Sequence, residues 1–372
     1  MNFSLDIPTR IVSGRGCVRA NLTSVLAGIA AKRAFIVTGK HGAAACGALA
    51  DVTDTVAQAG GTWSVWDKVC ENPPLEDAHA AGRSAHAFGA DVVIGIGGGS
   101  AMDAAKAVAA FAANPGIAPA DVYVPAARTN RSLPLILIPT TCGTGSEANP
   151  YSVLTLPDGV HKKTFTARDN WALCALVDPA YLTSLPRATV ISTALDAFAH
   201  AMESYLSPKA TDLSRMLAVY AARGIWDVLT EYPTEFSDAQ LDTLAAASVS
   251  AGAAISITGT GFPHPLGYSI TLLYGIPHGR ACAVFHGDYI RFNMRTEAGE
   301  RLMNDFAAAI GTRPSVMAEY LPALAAVELQ LSDAEIARCV DLIKGAKNYT
   351  NSPYVLNEQE MTEIYKSHFG GK

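Results

Sequence analysis

Along the first half of the chain, short continuous apolar runs alternate with stretches whose apolar positions recur at helical spacing. AFIVTG (34–39), WSVW (63–66), DVVIGIGGGS (91–100) and PLILIPT (134–140) are the strand candidates. An Ala-rich helical pattern continues to about residue 59, another covers 75–88, and AMDAAKAVAAF follows the glycines of the third run. Strands this continuously apolar, separated by helices, predict a parallel sheet covered on both faces. The pattern stops near Pro186. From about residue 188, Ala and Leu recur at helical spacing with few strand-like runs, which predicts an all-α part. The break LVDPAYLTSLPRAT, with two prolines, is the natural boundary. The expected organisation is therefore an α/β domain over 1–186 and a helical domain over 187–372. The Ala- and Ser-rich stretch 244–257, interrupted by Gly252, predicts a buried helix, not a membrane span.

Bulk properties narrow the function. A length of 372 residues suggests two domains, and 49% apolar residues provide for large cores. The net charge of −6, without any basic run, argues against nucleic acid as the partner. Seven cysteines (17, 46, 70, 142, 174, 282 and 339) are scattered, odd in number and without CxxC spacing. They make neither a disulfide framework nor a zinc knuckle, and free thiols suit a reducing cytoplasm. The start, MNFSLDIPTR, has no basic segment followed by an apolar one, so no secretory leader is expected.

The densest chemistry lies in the second half. Asp196 and His200 in DAFAHAMESY stand at i and i+4, and His264 and His278 follow in HPLGYSITLLYGIPHG. Residues four apart share one helix face, about 5–6 Å apart at Cβ, so a carboxylate and an imidazole can share one ion. Two further imidazoles would complete a three-nitrogen, one-oxygen set. That set suits iron or zinc and is too nitrogen-rich for magnesium or calcium. The plainer reading is an ordinary helix with a capping Asp and two unrelated loop histidines.

Two glycine-punctuated loops follow strands upstream. In GIGGGSAMDAAKA, glycines let the backbone approach a phosphate, and the helix behind them offers free N–H groups to an anion. Gly98, Gly99 and Ser100 are the contact candidates, while Asp103 reads equally as a helix-capping residue. The spacing is neither GxGxxG nor a Walker A loop. In PTTCGTGSEANP, Thr140, Thr141, Thr144 and Ser146 offer hydroxyls beside Gly143 and Gly145, which an ordinary turn also does. Two such loops at the carboxyl ends of parallel strands mark the place where α/β sheets bind ligands.

GGGSAMDAAKA, PTTCGTGSE, DAFAHAMESY and the separation of His264 from His278 resemble the iron-containing (group III) alcohol dehydrogenase family. The resemblance runs from the first strand to about residue 290. It implies a dinucleotide-binding α/β domain and a helical metal-binding domain, with metal and nicotinamide meeting in the cleft between them. It makes Asp196, His200, His264 and His278 the ligands of Fe2+, or of Zn2+. It makes Asn72 (in ENPPLED), Gly98, Gly99, Ser100, Thr140, Thr141, Thr144 and Lys162 cofactor contacts. Many members carry an Asp after the first strand, where it meets the adenosine ribose, and this chain has Gly39. Its absence removes repulsion of a 2′-phosphate, and Lys40 adds a positive charge, so NADP(H) is expected beside NAD(H). Four residues after His264, where many relatives place another histidine, this chain has Tyr268. The spacing to His278 makes His264 itself the ligand.

The implied reaction is hydride transfer between a nicotinamide and a small or medium primary alcohol or aldehyde, with Tyr268 or water relaying the proton. Tyr268 reads equally as a packed aromatic. Glu203, one turn past His200, reads as a solvated helix residue or as a support for His200. Cys142 reads as packing. Tyr151, Ile255 and Thr260 are the expected substrate neighbours. Ile255 stands where some relatives carry Phe, leaving room for a longer aldehyde. Glycerol-dehydrogenase-like, maleylacetate-reductase-like and dehydroquinate-synthase-like enzymes are the rivals, and the last needs a basic cluster that 190–290 lacks apart from Arg280. A homodimer or larger homo-oligomer in the cytoplasm is the expected state.

Overall fold

The computed structural model describes residues 6–371. The segment MNFSL, part of the stretch read for a leader, lies outside the described residues. Two compact units divide the chain at Pro186 and Arg187, and Glu235–Val249 joins the first of them. That segment departs from the division expected at 186. Its place follows from Arg15, which donates to Asp242 Oδ1 at 2.9 Å and to the Asp238 carbonyl at 3.0 Å.

The first unit is built on six parallel strands: β1 (Arg10–Ser13), β2 (Arg33–Gly39), β3 (Thr62–Val69), β4 (Val92–Gly97), β5 (Leu135–Pro139) and β8 (Cys174–Val177). Their spatial order is β1-β8-β5-β4-β2-β3. Alternation along β2 explains why both faces are covered. Ala34 and Ile36 join a core formed with the helices Cys17–Gly28 and Ala48–Gln58, whereas Phe35 and Val37 join one formed with Leu75–Phe88 and Gly99–Ala113. The chain runs outward from β2 to β3 and returns past it to β4. The order thus reverses between β2 and β4, where the carboxyl ends of open α/β sheets form a crevice. An antiparallel hairpin, β6 (Ser152–Thr155) with β7 (Lys162–Phe165), follows β5.

The second unit is helical. Its Arg187–Leu206 helix buries every residue from Ala194 to Ser204, so it is covered on all sides and is a core helix rather than a surface one. The stretch around Gly252 forms one unbroken helix, Asp238–Thr258. Among the described residues it is the one helix long and apolar enough to cross a membrane, and 61% of its apolar window is buried.

Candidate functional site

The Arg187–Leu206 helix presents Asp196, His200 and Glu203 from a single face. The helix Pro263–Tyr274 contributes His264 from its first turn, and His278 opens the helix His278–Ala283. Asp196 Oδ1 then lies 3.8 Å from His200 Nε2, 3.7 Å from His264 Nε2 and 3.7 Å from His278 Nε2. The rings of His200 and His264 stack at 4.7 Å. His278 can approach this closely because Gly279 has no side chain. A Cβ there would collide with the Ser192 carbonyl oxygen.

Glu203 is fully buried and orients His264. Its carboxylate accepts from the His264 Nδ1–H at 2.8 Å and from the Gly261 N–H at 2.5 Å. The solvated reading of Glu203 is therefore overturned. The bond fixes Nδ1 as a donor and turns His264 Nε2 toward Asp196. Burial opposes a charge on His264, but the Glu203 and Asp196 carboxylates outweigh it and push the imidazole up to about 10. Burial also opposes ionisation of Asp196, yet the imidazoles of His200, His278 and His264 hold its carboxyl well below the usual range.

Asp196 Oδ1 and His264 Nε2 are buried with no hydrogen-bond partner. Leaving such groups unsatisfied costs about 1–3 kcal/mol each. A divalent cation among three imidazole nitrogens and one carboxylate oxygen would satisfy both, so the residues present fit an iron or zinc ion. His278 is 30% exposed, whereas the side chains of Asp196, His200 and His264 are at most 7% exposed, so the cluster opens at His278.

In the α/β unit the two expected loops meet. The Thr140 N–H donates to the Gly97 carbonyl at 2.9 Å. A Cβ on Gly99 would stand 2.6 Å from Thr144 Cγ2, and one on Gly98 would stand 3.2 Å from Thr141 Oγ1. Only glycine lets the loops close this far, and the helix Gly99–Ala113 begins there with its N–H groups free for an anion. Asn72, in the left-handed region at φ 54, donates its N–H to Ser100 Oγ at 3.3 Å. Gly39 ends β2 beside these loops, with Val69 O 3.3 Å from where its Cβ would be. Lys162 opens β7, and its charge reaches Asp103.

Asp103 is not a cap. It stands beyond the first turn, where its carboxylate accepts from Ser146 Oγ at 2.5 Å and from the Val153 N–H at 2.9 Å. Sequence reasoning missed its partner Lys106, which is fully buried and donates to Ser146 O, Ser146 Oγ and Tyr151 O at 2.6–2.7 Å.

Tyr268 stacks on His278 at 5.5 Å and meets His264 edge-on at 6.3 Å. Ile255 is buried in the Asp238–Thr258 helix, and Thr260 accepts from Asn348 Nδ2 at 2.7 Å. Tyr151 belongs to the α/β unit and is half-buried.

Residues 8–179 match the family described as iron-containing alcohol dehydrogenase, and residues 190–369 match its C-terminal part. The chain belongs to the iron-containing alcohol dehydrogenase family. Among family relatives, long-chain-alcohol dehydrogenase 1 of Geobacillus thermodenitrificans is 33% identical, over 87% of each chain. Lactaldehyde reductase of Escherichia coli K12 is 31% identical, over 85% of this chain and 81% of that one. The crystal structure of an iron-containing alcohol dehydrogenase of Thermotoga maritima superposes with a TM-score of 0.90. It is 30% identical and covers 98% of this chain and 99% of its own. Sulfoacetaldehyde reductase of Bifidobacterium kashiwanohense, solved with NAD+, gives a TM-score of 0.88 at 25% identity, over 99% and 98% of the chains.

Proposed function

We propose that this alcohol dehydrogenase family member interconverts small or medium primary alcohols and aldehydes with NAD(P)(H), using a divalent metal held by Asp196, His200, His264 and His278. The observation that carries the reading is the convergence of three imidazole nitrogens within 3.8 Å of one buried carboxylate oxygen. A divalent metal there supplies Lewis acidity to an alcohol or carbonyl oxygen. A nicotinamide cofactor supplies or accepts the hydride.

The chain's own residues do the rest. Glu203 keeps the Nδ1 proton of His264 in place, so that Nε2 stays available. Tyr268 steadies the ring of His278 and carries the proton relay together with water entering at the exposed side of that ring. The N–H groups behind Gly98 and the hydroxyls of Ser100, Thr140, Thr141 and Thr144 hold the cofactor phosphates, with Lys162 adding charge and the Asn72 N–H positioning Ser100. Gly39 in place of a carboxylate supports NADP(H) use beside NAD(H). Thr260 borders the substrate, and the buried Ile255 offers an apolar side chain to its alkyl chain.

The test is anaerobic purification and metal analysis, followed by chelation, add-back of Fe2+ or Zn2+, and assays of two- to five-carbon aldehydes with NADPH and NADH. Turnover should vanish on chelation and return with metal. The rate should climb with chain length, since a methylene in an apolar pocket is worth about 1 kcal/mol. Full turnover by protein verified metal-free would overturn the reading.

A further inference from the structure

Cys282 is fully buried one turn past His278 on the helix His278–Ala283. Its Sγ stands 3.7 Å from His278 Nε2 and 3.8 Å from Nδ1. One donor atom each from Asp196, His264, His278 and Cys282 lies within 4.8 Å of the others. Two of those atoms, Asp196 Oδ1 and His264 Nε2, have no hydrogen-bond partner, on side chains 4% and 3% exposed. Gly267, one turn after His264, lets the sulfur sit here: a Cβ there would lie 2.9 Å from Sγ. The imidazole nitrogens stand 3.7–3.8 Å from Asp196 Oδ1 and the sulfur 3.7 Å from His278 Nε2, separations that two ligands of one ion span.

We propose that Cys282 is a further metal ligand, a thiolate that makes the centre favour thiophilic divalent ions such as Zn2+ and Co2+ over iron(II). The inference rests on the metal centre proposed above and adds a donor of a different kind to it. Soft sulfur ligands select zinc, whereas imidazole and carboxylate alone accommodate zinc and iron alike. On binding, the S–H bond breaks, a sulfur–metal bond forms and the proton leaves to solvent, with no change of oxidation state. The donor set then comprises Asp196, His200, His264 and His278 with Cys282 as a fifth donor.

The experiment is anaerobic titration of the metal-free protein with Co2+, read by absorption, on wild type, Cys282→Ser, Cys282→Ala and His264→Ala. Wild type should show visible ligand-field bands and a near-ultraviolet sulfur-to-cobalt charge-transfer band. Both Cys282 variants should keep the former and lose the latter. Zn2+ affinity, measured by competition with a chromophoric chelator, should fall on the order of tenfold in Cys282→Ala, and Fe2+ affinity should fall less. Ligand-field bands in wild type without charge transfer would overturn the cysteine ligand, leave the metal centre standing, and make Cys282 a packing residue against Gly267. Co2+ spectra identical in wild type and His264→Ala, or absent from both, would overturn the centre and the cysteine ligand together.

Discussion

Two buried clusters, one in each unit, handle charge in opposite ways. In the α/β unit, Lys106 has three N–H bonds and three oxygen acceptors at 2.6–2.7 Å, and Asp103 is met by a hydroxyl and an amide. That network is complete, and it braces the loop on which Ser146 and Tyr151 lie. In the helical unit, Asp196 and His264 each keep a buried atom without a partner, although four titratable side chains crowd together. Density of charge does not tell these two clusters apart; what differs is that the Asp103–Lys106 pair has filled its hydrogen bonds and the Asp196–His264 pair has not.

The sharpest way to break this contrast is His264→Ala. It should lower turnover by about 10³-fold or more while circular dichroism stays native and metal content falls, because a ligand is lost rather than a brace. Lys106→Met should do the reverse. It leaves Asp103 buried without its cation and should cost about 3–5 kcal/mol in urea unfolding, with metal content unchanged. A loss below 1 kcal/mol would show that the network is not a brace.

Glu147 tests the same unit by pH. Burial raises its carboxyl from 4.5 to about 7, with its own backbone N–H and Lys106 acting the other way. A folded value above the unfolded one means stability fully present below about 4.5 and lost as pH climbs through 7. The shift corresponds to about 3 kcal/mol. Glu147→Gln should flatten that fall, and unfolding curves at pH 4.5 and 8 that move in parallel for both proteins would contradict it.

The smallest effect is expected at Gly39. Gly39→Asp should weaken NADPH relative to NADH by about 1–3 kcal/mol in the ratio of Michaelis constants. Gly39→Ala is the control, because it meets the same Val69 carbonyl without the charge. Equal changes in both variants would show that the effect is steric.

Long apolar runs made β2 to β5 and the helices behind them legible in the sequence. Four-residue strands carry too little periodicity to announce themselves, which is why β1 and β6 to β8 escaped, and β8 also runs into the proline-rich break. At the site, Asp196 and His200 were legible because i and i+4 is a short-range rule. Lys106 was not, and Glu203 was legible only as one of two readings, with His200 rather than His264 as its partner. A buried charged residue and a solvated one are written with the same letter, and only the fold decides between them. Cys282 stands at i+4 from His278. The spacing that exposed the first pair would have exposed the second, had the cysteines been read against the histidines instead of against each other.

Asp196, His200 and Glu203 also share a phase. At about 100° per residue, Glu203 falls within about 20° of Asp196 around the helix, and His200 about 40° from it. A single residue inserted between positions 200 and 203 would swing Glu203 by about 100° away from His264, while sequence identity barely changed. The centre is thus far more exposed to a shift of helical register than to drift in the residues around it, and a small deletion there would be worse than many substitutions.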